Sequence, residues 1–283
     1  MKIFARVLGI IVIIGLLLGG ALFVRIGFHK QIQMFLPPRL DTSPPELPAA
    51  FSAPAILVFS KTNGFRHHEA IPAANRELGR IAGVNGWEIY TTENGAVFTA
   101  ELLSRFGVVV WNSVSGRVLR DEQRVALRRF IESGGGFVAL HAAGDGSHES
   151  WPWFVSEVIR AEYTAHPRRS HIQQANILID DRNHPATRHL DNTWTRSDEW
   201  YSFSAGPREP VHVLARLDES SYDPEQYAMG ANHPIIWSHE LQKGRIFFSA
   251  LGHTAESWVE TDHLTLITNA IGWAGRLNEV VNE

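Results

Sequence analysis

The chain of 283 residues contains no cysteine. Disulfide bonds, thiolate metal ligands and a cysteine nucleophile are therefore excluded, and cysteine content gives no indication of the redox compartment. Basic residues are not in excess either, because 26 Lys and Arg stand against 30 Asp and Glu, for a formal net charge of -4. Nucleic-acid-binding domains normally present a basic face, so no nucleic-acid partner is expected.

Several catalytic and cofactor-binding motifs are also missing. Without a G-x-S-x-G motif, the sequence does not predict the nucleophile elbow of a serine hydrolase. Without a G-x-G-x-x-G motif after a strand, it does not predict a dinucleotide site, and the tight zinc motif H-E-x-x-H is absent too. Any site must therefore be assembled from residues that lie far apart in the chain.

One long uncharged run is present near the amino terminus, VLGIIVIIGLLLGGALFV at 7–24, between Arg6 and Arg25. At ~1.5 Å per residue a helix of this length covers ~27 Å, close to the ~30 Å of a bilayer core. We therefore expect a transmembrane anchor over 7–25, behind a short cytoplasmic segment at 1–6. The alternative is a cleaved signal peptide, although its apolar region is usually shorter and the small-residue cleavage site here is weak.

The rest of the chain divides by composition into a linker, one large domain and a short tail. Basic residues flank both sides of the expected anchor, so the positive-inside rule does not decide its orientation. An anchor of this kind usually leaves its amino end in the cytoplasm, which predicts a single-pass protein of the cytoplasmic membrane with a periplasmic or extracellular domain. Six prolines within 31–54 predict a semi-rigid, extended linker. The domain is expected over 55–276 and the tail over 277–283.

Short apolar runs alternate with amphipathic segments from residue 55 onward. AILVFS at 55–60 is a nearly continuous apolar run, which is typical of a strand covered on both faces. This alternation predicts an α/β fold with a mostly parallel sheet and helices on both faces. The predicted strands are 55–60, 87–92, 108–113, 137–140, 175–179, 211–217, 233–239 and 244–251. The predicted helices are 68–83, 99–106, the segment 119–134 and 262–275.

Polar side chains follow several predicted strands, at the edge where open α/β sheets bind ligands. The candidates are Arg66, His67, His68, Glu69, His141, Asp145, Asp198, Glu199, Trp200, Tyr201, His253, Glu256 and Trp258. A structural role remains open for some of them. Glu69 at a helix start also fits a capping role, and His141 also fits a buried, hydrogen-bonded corner. Asp198 and Glu199 alternate if they lie on a strand, so at most one of them faces the site.

Three histidines and a carboxylate gathered at strand ends would suit two kinds of chemistry. They are the ligand types of a zinc or other divalent metal site with an open coordination position. They would equally serve as general acid and base, because imidazole titrates near neutral pH and a carboxylate can orient it. The residues alone leave both possibilities open.

Five segments, in order, resemble the ThuA-like (trehalose utilisation) family, whose fold is similar to that of class I glutamine amidotransferases. They are GFRHHEAI, GGGFVALHAAGD, HPATRHL, DEWYSF and KGRIFFSALGHTAESW, and the resemblance runs from about 55 to 275. It implies a flavodoxin-like sheet, a link to disaccharide metabolism, and an amidotransferase-type elbow with His141 in place of the cysteine. It also implies that His68 is the family's histidine after the first strand, because Ile71 follows at the family's spacing. His67 is then an extra neighbour.

Two hypotheses of function follow, from different classes of protein. The first is a membrane-anchored enzyme acting on a disaccharide or keto-sugar related to trehalose, with acid–base or metal-assisted chemistry. Its catalytic or metal-binding residues would be His68, His141, Glu199 and His253, and its substrate-binding residues Arg66, Asp145, Trp200, Tyr201 and Trp258. The second is a non-catalytic sugar-binding or scaffold module at the cell surface, with aromatic platforms and no converging His/Glu cluster. Glutamine amidotransfer is excluded because there is no thiol nucleophile.

Overall fold

The structure is a computed structural model that describes residues 9, 12–15, 17, 19–20, 28–49, 51 and 55–277. The predicted segment 1–6, much of the predicted anchor and residues 278–283 of the predicted tail lie outside the described residues. Within the part of the chain that the structure describes, no helix has the length and apolar character that crossing a bilayer requires.

Eleven strands and four α-helices make up the domain. The strands are β1 (Ala55–Phe59), β2 (Glu88–Thr92), β3 (Val108–Asn112), β4 (Gly136–Leu140), β5 (Tyr163–Ala165), β6 (Gln173–Ile179), β7 (Thr193–Asp198), β8 (Ser202–Phe203), β9 (His212–Asp218), β10 (Pro234–Leu241) and β11 (Gly244–Ser249). The helices are α1 (Ala70–Asn85), α2 (Ala100–Leu103), α3 (Asp121–Glu132) and α4 (Thr261–Ala274). Nine strands form one sheet in the order β2-β1-β3-β4-β11-β10-β9-β6-β7, and β5 pairs with β8.

One half of the large sheet is parallel, as the sequence predicts. Strands β2, β1, β3, β4 and β11 pair in parallel. Every residue of β1, β3 and β4 is buried, with α1 and α4 packed against β3 and α4 also packed against β4. Continuous apolar runs are what such doubly covered strands require. The flanked parallel strands are those of a flavodoxin-like fold, and their carboxyl ends lie along one edge.

The other half of the sheet is antiparallel. Strands β10, β9, β6 and β7 continue outward from β11, each antiparallel to its neighbour. In β7, burial alternates strictly, so that Trp194, Arg196 and Asp198 are buried while Thr193, Thr195 and Ser197 are exposed. The alternation of β7 directs Asp198 inward at the end of the strand, immediately before Glu199.

The predicted linker lies along the surface of the domain and is hydrogen-bonded to it. A 3-10 helix covers Phe28–Phe35, and residues 36–49, all described, have neither helix nor strand, in keeping with their prolines. The carboxylate of Asp41 accepts from the backbone N–H of Gly95 at 2.8 Å, and its carbonyl accepts from Gln123 Nε2 at 2.8 Å. Asn94 Nδ2 donates to Ser43 O at 3.0 Å. Composition predicts a semi-rigid, extended linker, but it does not reveal these bonds to the domain.

Candidate functional site

Four potential ligand residues meet at the carboxyl edge of the parallel strands. One side-chain atom from each of His67, His141, Glu199 and His253 lies within 4.8 Å of the other three. His67 lies in the loop between β1 and α1, His141 follows β4 directly, and His253 follows β11. Glu199 comes from the antiparallel half, directly after β7. We refer to these four residues as the His/Glu cluster.

His141 is the centre of the cluster and its side chain is fully buried. Its Nδ1 lies 2.8 Å from the carbonyl oxygen of Ala250. A carbonyl can only accept, so Nδ1 carries the proton and Nε2 of the neutral ring is a bare lone pair. The backbone of His141 has φ +50°, a left-handed conformation that costs a non-glycine residue about 1–3 kcal/mol. The strained corner after β4 therefore aims an unprotonated nitrogen at the cluster.

Three polar atoms converge on that lone pair. His67 Nε2 lies 3.1 Å from His141 Nε2, His253 Nδ1 lies 3.0 Å away, and the Tyr201 hydroxyl lies 3.2 Å away. Glu199 Oε2 lies 3.0 Å from His253 Nδ1 and 3.6 Å from His141 Nε2. A single lone pair can accept one good hydrogen bond, so two further ring nitrogens at this distance need another source of attraction.

The spacing fits a divalent metal with nitrogen and oxygen ligands. In a tetrahedral zinc site with bonds of about 2.0–2.1 Å, neighbouring ligand atoms are about 3.3 Å apart. The contacts around His141 Nε2 and His253 Nδ1 run from 3.0 to 3.6 Å. The hydrogen bond from His141 Nδ1 to Ala250 O is the outer contact that commonly fixes the tautomer of a metal-binding histidine. The donor set and its spacing could thus hold a metal ion.

Asp198 lies behind the cluster and holds the backbone of two of its members. Its Oδ1 accepts from the backbone N–H of Glu199 at 2.9 Å and of His253 at 3.0 Å. Its Oδ2 accepts from the backbone N–H of Gly252 at 2.9 Å and from Ser257 Oγ at 3.2 Å, and it pairs with Arg196 at 3.1 Å. All of these contacts are buried, so Asp198 sets the relative position of Glu199 and His253.

Burial and mutual charge shift the titration of the cluster. Burial lowers the pKa of His141 to about 4, and burial followed by the neighbouring His141 and His253 lowers the pKa of His67 well below its usual value. Burial opposes the shifts of Glu199 and His253, but their hydrogen bond and opposite charges outweigh it. As a result, the pKa of Glu199 is lowered and that of His253 is raised. The cluster therefore contains two neutral imidazoles beside a carboxylate–imidazole pair.

A cavity of about 530 Å³ opens onto the cluster. His67, Glu199, Tyr201 and His253 line it, together with Asp145. The backbone N–H of Ser147 donates to Asp145 Oδ1 at 2.8 Å, and burial raises the pKa of Asp145 to about 7. This volume is within the range of pockets that bind small molecules. The structure thus places Asp145 and Tyr201 beside the cluster, where the sequence-based hypothesis expects them.

The histidine after β1 that joins the cluster is His67, whereas the resemblance assigns that place to His68. Successive residues near a helix start point about 100° apart, so only one of the pair can face inward. The carbonyl of His67 accepts from the backbone N–H of Ile71 at 3.1 Å, which fixes His67 at the first turn with its ring buried. His68 is exposed and lines a neighbouring groove.

Three predicted substrate-binding residues do not face the cavity. The guanidinium of Arg66 pairs with Glu93 at 2.7 Å, in the groove beside His68. Trp200 and Trp258 are each only 1% exposed. Both indoles lie in the core, because their apolar area is large. Trp258 Nε1 donates to the carbonyl of Gly252 at 3.4 Å, below the turn that carries His253. Trp258 thus supports the site from beneath.

Two further histidines at the site were not among the sequence candidates. His166 Nδ1 lies 3.4 Å from Glu199 Oε1, and the ring of His171 lies 5.8 Å from that of His253. Both line the cavity, as does Tyr163. The signal available in the sequence is the stretch HPRRSH at 166–171, which places two histidines five residues apart just before β6. It lies in a long irregular segment, so its position cannot be inferred from strand ends.

Comparisons with known proteins agree with this architecture. A ThuA-like protein from Bacteroides uniformis is 22% identical with a TM-score of 0.67, over 81% of this chain and 95% of that one. A ThuA-like protein from Parabacteroides merdae is 18% identical with a TM-score of 0.62, over 82% and 93%. No curated protein matches the sequence significantly. The model of the ThuA family, described as trehalose utilisation, matches residues 55–274. The chain belongs to the ThuA family.

Proposed function

We propose that the His/Glu cluster binds a divalent metal such as zinc and that the protein uses it to act on a carbohydrate, a disaccharide or keto-sugar related to trehalose. The main support is a set of short distances: His67 Nε2, His253 Nδ1 and the Tyr201 hydroxyl all lie within 3.2 Å of the unprotonated Nε2 of His141. A shared cation explains why two ring nitrogens lie so close to a third. The family's association with trehalose utilisation supports the carbohydrate.

In this proposal His67, His141, His253 and Glu199 would hold the metal, which would polarise a sugar oxygen or activate a bound water. The residues around them have separate tasks. The Tyr201 hydroxyl, 3.2 Å from His141 Nε2, can donate to a substrate oxygen in the cavity. Glu199 Oε1 faces His166 at 3.4 Å, so this carboxylate is oriented from both sides. Its fixed position would keep the Glu199 carboxylate directed at the metal.

Asp145 is the group best suited to transfer a proton to the substrate. It lines the same cavity as His253 and Glu199, and burial brings its pKa to about 7. A carboxyl group with a pKa near the working pH can both give and take a proton, which is what general acid–base catalysis requires. We infer that Asp145 protonates or deprotonates a hydroxyl of the bound sugar.

A metal-free version of the same chemistry uses the pair formed by His253 and Glu199. His253 Nδ1 lies 3.0 Å from Glu199 Oε2, and the pKa of His253 is raised. An imidazole oriented by a carboxylate is a familiar proton carrier. It leaves unexplained why His67 Nε2 approaches His141 Nε2 to 3.1 Å, so we favour the metal.

A non-catalytic sugar-binding module has less support. That hypothesis expects exposed aromatic platforms and no converging cluster. Trp200 and Trp258, two aromatic residues close to the site in sequence, are each 1% exposed and cannot form such platforms. Four imidazoles and two carboxylates line the cavity, alongside Phe65, Tyr163 and Tyr201. This composition favours an enzyme over a binding module.

We propose further that residues 7–25 anchor the protein in the cytoplasmic membrane, with the domain on the periplasmic or extracellular side. The support is the uncharged run at 7–24. The full chain should remain with membranes after an alkaline carbonate wash, and protease added outside spheroplasts should digest the domain. Release by the wash contradicts the anchor, and digestion only after lysis contradicts the orientation.

The central test combines metal binding with turnover. Purified full-length protein, loaded with Zn²⁺, is incubated with trehalose, 3-keto-trehalose and related glycosides. We expect one bound Zn²⁺ per chain, turnover of at least one glycoside, and loss of turnover in Glu199→Gln. The matched control is Glu240→Gln, whose side chain is 67% exposed on β10 and which should retain turnover. Sugar binding without turnover contradicts the enzyme, and no stoichiometric metal contradicts the metal site.

A further inference from the structure

Exposed apolar side chains concentrate beside the mouth of the cavity. Ile32, Met34, Phe35, Leu36 and Phe65 are between 41 and 63% exposed. Among the described residues outside the amino-terminal run, the other large exposed apolar residues are Val84, Val125, Leu178 and Val259, which are dispersed along the chain. Isolated apolar residues are ordinary on a surface, but a contiguous group marks an interaction site. We refer to the group of five as the apolar rim.

The apolar rim is fixed to the loop that carries His67. Gln31 Nε2 donates to the carbonyl of Arg66 at 2.9 Å, and Gln31 Oε1 accepts from the backbone N–H of Arg66 at 2.8 Å. Gln33 Nε2 donates to the carbonyl of Gly64 at 3.3 Å. The two glutamines thus face the domain, while Ile32, between them in sequence, is 52% exposed. The binding of Gln31 and Gln33 holds the segment as a small amphipathic element.

The rim borders the site itself. Met34 and Phe65 line the same cavity as His253, and the ring of Phe65 lies 5.0 Å from that of His67. Whatever covers the rim must therefore lie next to the opening through which substrate reaches the His/Glu cluster.

The neighbouring sequence indicates what covers it. The segment Phe28–Phe35 begins three residues after Arg25, which closes the uncharged run at 7–24. Three residues of fully extended chain span at most ~11 Å. The described residues of the run have helical backbone, and Val12, Ile13, Ile14 and Leu17 expose at least half of their surface. If the run is anchored in a bilayer, the rim cannot lie far from its surface.

The charges near the rim also suit a bilayer surface. Arg25 and Lys30 flank the start of the segment in sequence. Basic residues beside exposed aromatic and aliphatic side chains are typical of elements that lie in the headgroup region of a membrane. Apolar side chains in such elements enter about 5–10 Å into the boundary between headgroups and acyl chains.

We propose that the apolar rim docks on the lipid bilayer, so that the cavity with the His/Glu cluster opens at the membrane surface. The proposal rests on the anchor proposed above and goes beyond it, because an anchor followed by a free linker would leave the rim in water. The linker is instead held on the domain by bonds such as that between Asn94 Nδ2 and Ser43 O, at 3.0 Å.

The absence of cysteine makes a direct test possible. Full-length Phe35→Cys and Leu178→Cys, each labelled with an environment-sensitive fluorophore, are placed in vesicles of phosphatidylcholine and phosphatidylglycerol containing lipids with a quencher in the acyl chains. Leu178 is the matched control, because it is 41% exposed on β6 and lies in none of the elements at the rim. We expect quenching at position 35 to exceed that at position 178 at least severalfold.

The possible failures can be told apart. If an alkaline carbonate wash releases the protein from the vesicles, both the proposed anchor and the docking proposal are contradicted. Chain that stays in the vesicles, with position 35 quenched no more than position 178, overturns the docking alone. The fluorophore at position 35 could also be shielded from water without being quenched by the lipids. If that shielding grows with the protein-to-lipid ratio, a second copy of the chain covers the rim, and the docking proposal is overturned. Zn²⁺ binding by Phe35→Cys is measured in parallel. One bound Zn²⁺ per chain would show that the metal site is intact whatever the quenching result, so a failure of docking is distinguished from a failure of the proposed function.

Discussion

The carboxylate of Asp198 holds the backbone N–H of His253 at 3.0 Å and, through the same oxygen, that of Glu199 at 2.9 Å. A buried residue with no access to the cavity thereby fixes the distance between a carboxylate and an imidazole that face each other at 3.0 Å. Arg196 pairs with the other carboxylate oxygen of Asp198 and neutralises its negative charge.

Asp198→Asn is expected to weaken both the fold and the site. It removes the fully buried one of the two carboxylates that pair with Arg196 and leaves Glu260 at 3.3 Å, so we expect a loss of about 1.5–3 kcal/mol of unfolding free energy. It also loosens the backbone of Glu199 and His253, and loss of such outer contacts weakens metal binding about 10–100-fold. Urea unfolding and Zn²⁺ titration measure the two effects.

The control for Asp198→Asn is Glu162→Gln. Glu162 pairs with Arg208 at 3.3 Å, and both side chains are about half exposed or more. Such surface pairs contribute at most about 1 kcal/mol. Equal losses of stability and Zn²⁺ affinity in the two variants would show that Asp198 does not position the site.

His141→Asn should separate the ligand role of His141 from its structural role. Asparagine tolerates the φ of +50°, and its amide can replace Nδ1–H as the donor to Ala250 O. Alanine offers neither. We expect Zn²⁺ binding to be lost in both His141→Asn and His141→Ala, with the asparagine variant more stable by about 1 kcal/mol. An alanine variant at least as stable would contradict the assigned tautomer and strain.

Gly252→Ala tests the turn that carries His253. Gly252 has φ +112°, where a residue with a Cβ costs of order 1–3 kcal/mol, and its N–H is bonded to Asp198. We expect lower stability and weaker Zn²⁺ binding. Gly86→Ala is the control. Gly86 also has a positive φ, +69°, but it caps the carboxyl end of α1, whereas His67 precedes the amino end of that helix. The control should lose about 1 kcal/mol and bind Zn²⁺ as the parent does. Unchanged Zn²⁺ affinity in Gly252→Ala would exclude a role for this turn.

His148, outside the cluster, should make stability depend on pH. Burial lowers its pKa to about 4, from 6.5. Between these two values the unfolded chain binds the proton and the native chain does not. Unfolding free energy therefore falls as pH drops from 6.5 toward 4, by up to about 3 kcal/mol for this group.

His148→Gln removes that titration and keeps a donor for the carbonyl of Val114, which His148 Nε2 contacts at 3.0 Å. We expect the variant, with a chelator present, to lose less stability than the parent between pH 6.5 and 4, and to follow the parent's pH dependence above pH 7. The same slope in both proteins below pH 6.5 would contradict the buried neutral state of His148.

Much of the fold is visible in the sequence because buried parallel strands need continuous apolar runs. AILVFS at 55–60 gives β1, and the same reasoning gives β3 and β4. The antiparallel strand β7 was not predicted. Its burial alternates, and its inward face carries Arg196 and Asp198, which hydropathy assigns to the surface. Their burial depends on their mutual ion pair, a tertiary contact that no local pattern reveals.

The site was partly predictable for a related reason. His141 and His253 follow apolar strands, so their place at the edge of the sheet is encoded locally. The choice between His67 and His68 depends on the direction of the first turn of α1, which neither residue type determines. Trp200 and Trp258 were expected to bind substrate, but their large apolar surfaces are buried.

The most direct test of the metal site compares Zn²⁺ binding by His67→Ala and His68→Ala. The two positions are adjacent, and each variant removes one imidazole, but only His67 places a nitrogen 3.1 Å from His141 Nε2. Calorimetric titration of the full chain should show one Zn²⁺ per chain in the parent and in His68→Ala, and lost or greatly weakened binding in His67→Ala. Binding that survives in His67→Ala and fails in His68→Ala would contradict the account.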